Sequence, residues 1–183
     1  MRRFFVISLT LTSTLLIASL SANEQKILKG NQLSSALLQK LGGELKSQMQ
    51  TNGPMGALHF CSQNALTLTE QLAKESKTSI KRISINNRNP VNNANKDETV
   101  LLNEWDKMIK NTQLLPAQKL VTVSDNTVIY YKPIIINNES CLKCHGNVEG
   151  ELAKAIKAAY PEDKATGYKI GDLRGMIAIE MTQ

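Results

Sequence analysis

Five consecutive residues constrain this chain more than any others. Cys141-Leu142-Lys143-Cys144-His145 sets two thiols three positions apart, with an imidazole directly after the second. On one helical turn that spacing offers both sulfurs to the two vinyl groups of a haem and the histidine to its iron, and C-x-x-C-H is read as c-type haem attachment. Two other chemistries use a C-x-x-C pair. A thioredoxin-like redox pair normally follows a strand and opens a long helix. A zinc site needs a second ligand pair, which a chain with 3 Cys and 2 His does not offer. The expectation is one covalent haem c, bound through Cys141 and Cys144, with His145 on the iron.

The N-terminus says where such a protein is made. Arg2 and Arg3 precede an apolar run from Phe4 to Leu20 that ends on Ser19, Ser21 and Ala22. A charged start, an apolar middle and a small-residue end make a secretory signal peptide over 1–22. The run is interrupted by Ser8, Thr10, Thr12, Ser13 and Thr14 and has no basic flank behind it, so cleavage is expected rather than retention as an anchor. Export to the periplasm agrees with covalent haem attachment, which is completed outside the bacterial cytoplasm. Cleavage removes two arginines and no acid from a formal net charge of +6, leaving +4.

Residues 23–183 then form one domain. With 42% hydrophobic and 21% charged residues the chain builds a core and is not a disordered tail. Aromatics at 4% leave no base-stacking platform. The lysines and arginines are scattered, which argues against nucleic acid. The positive charge suits an acidic partner, either a redox protein or a separate signalling protein.

Residues 27–50 place Ile27, Leu33, Leu37, Leu38, Leu41, Leu45 and Met49 at helical spacing, with Gly42 and Gly43 in the middle. Thr51-Asn52-Gly53-Pro54 breaks the chain, and a second helical period runs from Met55 to Leu72, so an N-terminal helical hairpin is expected. Residues 79–85 alternate as a strand, with Ile83 and Ile85 on one face and Arg82 and Ser84 on the other. An Asn-rich loop covers 86–95. Asp97 opens a helix over 98–111 whose buried side carries Val100, Leu101, Trp105, Met108 and Ile109. Strands at 119–123 and 128–136 flank a turn at 124–127, with Pro133 near a strand end or edge. Short helices over 141–160 and a strand over 176–181 complete an α+β domain with a mostly antiparallel sheet.

Cys61 is the thiol left over. It is either a small buried hydrophobe or the distal ligand of the iron, deprotonated by Fe(III). Met49, Met55, Met108, Met176, Met181 and His59 are the other distal candidates. Two residues apart on a helix, His59 and Cys61 point about 200° apart, and Cys61 continues the row Leu58, Ala65, Leu68, Leu72. Arg82, Arg88 and Arg174 are candidates to pair with haem propionates.

Several segments, in order, resemble the bacterial haem-c sensor-like domains of formerly unknown function, whose prototype is cyanobacterial. They are Gly56-Ala57-Leu58-His59-Phe60-Cys61, Arg82-Ile83-Ser84, Arg88-Asn89-Pro90-Val91-Asn92 with Glu98, Tyr130 to Ile134, Cys141 to Gly146, Tyr160 to Tyr168, and Gly171-Asp172-Leu173-Arg174-Gly175. Ala94 stands where that family has a Pro. The resemblance implies a PAS-like antiparallel sheet with the haem against it, His145 proximal and Cys61 distal. A thiolate opposite imidazole lowers the reduction potential. Its release on reduction would open a site for CO or NO, giving a redox or gas sensor. The alternatives are a simple electron carrier with Met or His59 as distal ligand and, last, a haem peroxidase, which a filled sixth position disfavours. The protein is expected not to be an enzyme.

Overall fold

The computed structural model describes residues 20–182, so positions 1–19 of the expected signal peptide lie outside the described residues. Helix α1 (Ala22–Gln63) opens on a capping box: the Ser21 hydroxyl accepts the Glu24 N–H at 3.3 Å, and the Glu24 carboxylate accepts the Ser21 N–H at 2.7 Å. The expected stop at Thr51–Pro54 is a bend. Only Gly53 leaves the helical region, at φ +66° and ψ −166°. Pro54 fits the first turn of the resumed helix, where an N–H is dispensable. The real break comes at Asn64, before α2 (Ala65–Ser76). The expected hairpin is therefore three helical segments. Gly53 alone absorbs the unusual φ, and no Gly or Pro marks Asn64.

Strands β1 (Ser79–Ile83), β2 (Lys119–Ser124), β3 (Thr127–Ile135) and β4 (Leu173–Thr182) form one antiparallel sheet in the order β1-β4-β3-β2. The last strand is thus inserted between the first and third. Both faces of the sheet are covered. On one, Ile80, Tyr130, Ile177 and Ile179 pack against Leu37 of α1 and Leu72 of α2. Helix α1 comes so close there that a Cβ at Gly30 would stand 2.3 Å from the Tyr130 ring, while the Tyr130 hydroxyl donates to Asn31 Oδ1 at 2.7 Å.

The other face, with Ile83, Tyr131, Met176 and Ala178, lies under Leu101, Leu102 and Trp105 of α3 (Lys96–Lys110). The buried side of α3 follows Glu98, Leu101, Leu102 and Trp105, an i, i+3, i+4, i+7 stripe. Val100 falls off that stripe and is 63% exposed, and Ile85, beyond the end of β1, is also exposed; both were expected inside. Pro133 sits within β3, but β2 ends with Lys119 opposite Tyr131, so there β3 has one hydrogen-bonded neighbour only. Helices α4 (Glu139–His145) and α5 (Gly150–Ala159) fill the connection to β4. Among the described residues no helix is long and apolar enough to cross a membrane.

Candidate functional site

The C-x-x-C-H segment is α4 itself. Asn138 caps it, accepting the Ser140 N–H at 3.0 Å. The other end is tied to the Asp163–Tyr168 segment, where the Tyr168 N–H donates to the His145 carbonyl at 2.9 Å and the Gly167 N–H to the Gly146 carbonyl at 3.0 Å. These bonds satisfy carbonyls that a helix terminus leaves unpaired. Cys141, Cys144 and Cys61 are all half-buried and free. The Cys141 thiol lies 3.6 Å from Asn138 Oδ1, donating to it.

His145 Nδ1 stands 2.7 Å from the Ala165 carbonyl. A carbonyl only accepts, so Nδ1 carries the proton and the Nε2 lone pair is left for a ligand. Such a bond also fixes the ring of a metal-binding histidine. Burial, with Arg174 and Arg88 adding to it, pushes the His145 pKa down to about 3; the imidazole is neutral at any ordinary pH. The Tyr168 ring meets it edge-on at 6.2 Å.

Cys61 belongs to the same neighbourhood although it comes from α1. Burial pushes its thiol pKa up and the nearby Cys144 adds to this, while Arg82 and Arg88 pull it down. Burial likewise raises Cys144. His59 is exposed and Leu58 and Ala65 are buried, as the helical row requires. Leu58 packs on Ile156 and Tyr160, which fixes this end of α1 against α5.

The three arginines differ. Arg82, on the α1 face of β1, has a buried Nε with no hydrogen-bond partner. Arg88 is committed: Nε and Nη2 donate to Asp163 Oδ1 and Oδ2 at 3.0 and 3.3 Å, and Nη2 also reaches the Cys144 and Ala165 carbonyls at 2.6 and 3.1 Å. Arg174 lies over the Tyr168 ring at 5.4 Å. Among the methionines, Met176 and Met181 are core residues, Met108 packs against the α3 cluster and Met55 is 50% exposed. Met49 lines a cleft of ≈ 850 Å³ between α1 and β3, walled by Leu38, Leu45, Pro133 and Ile134, with Cys141 among its lining residues.

A family model described as Tll0287-like matches residues 13–182. The chain belongs to the Tll0287-like family. The crystal structure of the cyanobacterial heme-protein Tll0287 is similar to it, with a TM-score of 0.66 and 23% identity, over 88% of this chain and 98% of that one. At that identity the likeness is one of fold, an α+β domain. No curated protein matches the sequence.

In this member of the Tll0287-like family two residues outside the sequence reading matter to the site. Asp163 fills the Arg88 guanidinium, and its Oδ1 also accepts the Ala165 N–H at 2.9 Å. Ala165 contributes only its backbone, which no side-chain pattern reveals. Asp163 does lie inside Tyr160-Pro161-Glu162-Asp163-Lys164-Ala165-Thr166-Gly167-Tyr168, so the signal was present, though its partner 75 residues away was not. Among the described residues no three or more His, Cys, Asp or Glu gather to hold a metal ion.

Proposed function

We propose that this protein is an exported haem protein of the redox-carrier or sensor class, with a PAS-like sheet, one haem c on Cys141 and Cys144, and His145 and Cys61 as axial ligands. The observation that carries it is the His145 Nδ1–H bond to Ala165, which leaves Nε2 free on the helix that also holds both thiols. The residues fit the group. Arg82 Nε is an orphaned buried donor on the α1 side of the sheet, suited to a propionate or to the Cys61 thiolate. The cleft beside Cys141 has largely apolar walls, as a porphyrin edge requires. Attachment through Cys141 and Cys144 would add each thiol S–H across a vinyl group, consuming no oxidant. The haem supplies one-electron chemistry or a gas-binding site.

What the chain does follows from its own residues. Cys61, as a thiolate, favours the ferric state and a low potential. It stands on the helical segment between the bend at Gly53 and the break at Asn64. Release of Cys61 on reduction would free that segment, which is the bistable element of a redox, CO or NO sensor. A simple carrier would have Met49 in place of Cys61, keep its ligands through the cycle and dock an acidic redox partner. Met49 in the cleft beside Cys141 favours this second reading.

The test is the protein matured with a covalent haem-attachment system. Haem that stays with the denatured wild-type chain, and is lost when Cys141 and Cys144 are both replaced by Ser, supports attachment. Thiolate signatures in the ferric electron paramagnetic resonance spectrum that vanish in Cys61→Ala support the ligand. An unchanged Cys61→Ala spectrum rejects it and passes the role to Met49.

A further inference from the structure

The two arginines that act on His145 use the same atoms in opposite ways. Arg88 spends its Nε–Nη2 edge on the two oxygens of Asp163. Arg174 is held by its other nitrogen, since Nη1 donates to Ser84 Oγ at 2.9 Å and to the Asn86 carbonyl at 3.2 Å. Tyr168 supports the guanidinium plane from below. Among the described residues both hydrogen bonds that Arg174 makes to Ser84 and Asn86 leave from Nη1, Tyr168 is the other polar side chain beside the guanidinium, and no carboxylate stands at ion-pair distance from Nε or Nη2. Arg174 lines a cavity of ≈ 340 Å³ between the start of β4 and α3, with Asn103, Asp106, Thr166, Tyr168 and Asp172 around it.

We propose that this cavity binds a small carboxylate of amino-acid size, received by the Nε and Nη2 of Arg174. Two parallel N–H groups on one guanidinium edge match the two oxygens of a carboxylate, and the pairing is among the stronger hydrogen-bonded contacts in proteins. Arg88 and Asp163 already form it elsewhere in this molecule. Because Ser84, Asn86 and Tyr168 hold the Arg174 head in place, a ligand has little side-chain entropy to remove. The volume lies at the small end of ligand cavities, about 300–1,000 Å³.

The remaining charges refine the class. Asp106 pairs with Lys110 at 2.6 Å, and Asp172 Oδ2 accepts the Lys169 N–H at 2.7 Å. Lys110, which also lines the cavity, neutralises Asp106, so Asp172 is the acid that opposes a second carboxylate and attracts an ammonium. A zwitterionic α-amino acid therefore suits the cavity better than a dicarboxylate. Arg174 was a candidate for a haem propionate, so the test uses haem-loaded protein, in which a propionate on Arg174 would exclude the ligand.

Calorimetric titration with L-alanine and, separately, with acetate at equal ionic strength reads the site. Saturable binding to the wild type is expected, weakened at least about tenfold in Arg174→Gln. Asn103→Trp, which fills the cavity from an exposed position on α3 and leaves every Arg174 contact in place, is expected to weaken it as much. Tighter binding of alanine supports the zwitterion; equal binding supports recognition of the carboxylate alone. Absence of saturable binding to the haem-loaded wild type, or unaltered affinity in Asn103→Trp, overturns the proposal.

Discussion

Around Trp105 and Ile177 the chain is held by apolar contact on both faces of a sheet, whereas α4, which carries Cys141, Cys144 and His145, has no buried residue of its own. It is held instead by hydrogen bonds to the Asp163–Tyr168 segment and by the Arg88–Asp163 pair. Apolar packing is non-directional and tolerant of small shifts, while a bidentate ion pair and a His–carbonyl bond fix orientation. The molecule thus separates what keeps it folded from what aims its reactive groups. Changes in the first region should move stability with little effect on the site, and changes in the second should disturb the site first, whatever they cost in stability.

The largest effect tests the first region. Trp105 is 1% exposed, and its replacement by Ala is expected to cost about 4 kcal/mol in urea unfolding. Spectra of bound haem should be unaltered in the fraction that folds. A cost below about 1 kcal/mol would mean that the α3 face is not part of the cooperative core.

Asp163→Asn tests the second region. The Arg88 and Asp163 side chains are 12% and 7% exposed, and breaking a buried pair on one side leaves an uncompensated charge worth about 3 kcal/mol. The signature that separates this from a core defect is local. The Tyr168 and Gly167 amides, which cap α4, should lose hydrogen-exchange protection well before those of β4. Uniform loss across the sheet would erase the distinction between the two regions.

An effect that is smaller per pH unit concerns acid. In the haem-free chain, His145 has its pKa pushed down to about 3 from an unfolded value near 6.5. The unfolded chain then takes up a proton that the folded chain refuses. Stability is complete above about pH 6.5, falls by up to about 1.4 kcal/mol per pH unit below it, and levels off near pH 3. His145→Gln should remove this contribution. Urea midpoints between pH 7 and 4 provide the measurement, and equal slopes for the two proteins would show that the imidazole is not buried neutral.

How much of this was legible in the sequence differs between the same two regions. The sheet was readable because Ile80 to Ile83, Val128 to Tyr131 and Met176 to Met181 carry their own period and need no distant information. The capping box of α3, Asn95 with Glu98, is also local, yet the expected opening at Asp97 fell two residues past the real cap. The break at Asn64 and the continuity of α1 through Gly53 were not legible, since tertiary packing of Leu58 on Ile156 and Tyr160 helps place that segment. At the site, residue types and their spacing identified α4. The different fates of Arg82, Arg88 and Arg174 depend on partners brought near by the β1-β4-β3-β2 order, and a backbone acceptor such as Ala165 has no side-chain signature at all.

The smallest expected effect uses two neighbours that local sequence cannot tell apart. Gly42 and Gly43 both lie inside α1, and a Cβ at either would meet nothing within 4 Å. Glycine inside a helix costs about 0.5–1 kcal/mol relative to alanine, because the unfolded chain loses more freedom. Gly43→Ala should therefore raise the free energy of urea unfolding by that amount with or without haem. Gly42 differs in one respect, since it lines the cleft between α1 and β3 together with Cys141. If that cleft takes the edge of a porphyrin, Gly42→Ala stabilises the haem-free chain like its neighbour but loses the gain once haem is bound. Equal gains for both substitutions in the haem-loaded protein would place the macrocycle outside this cleft and leave the open face of Gly42 to solvent.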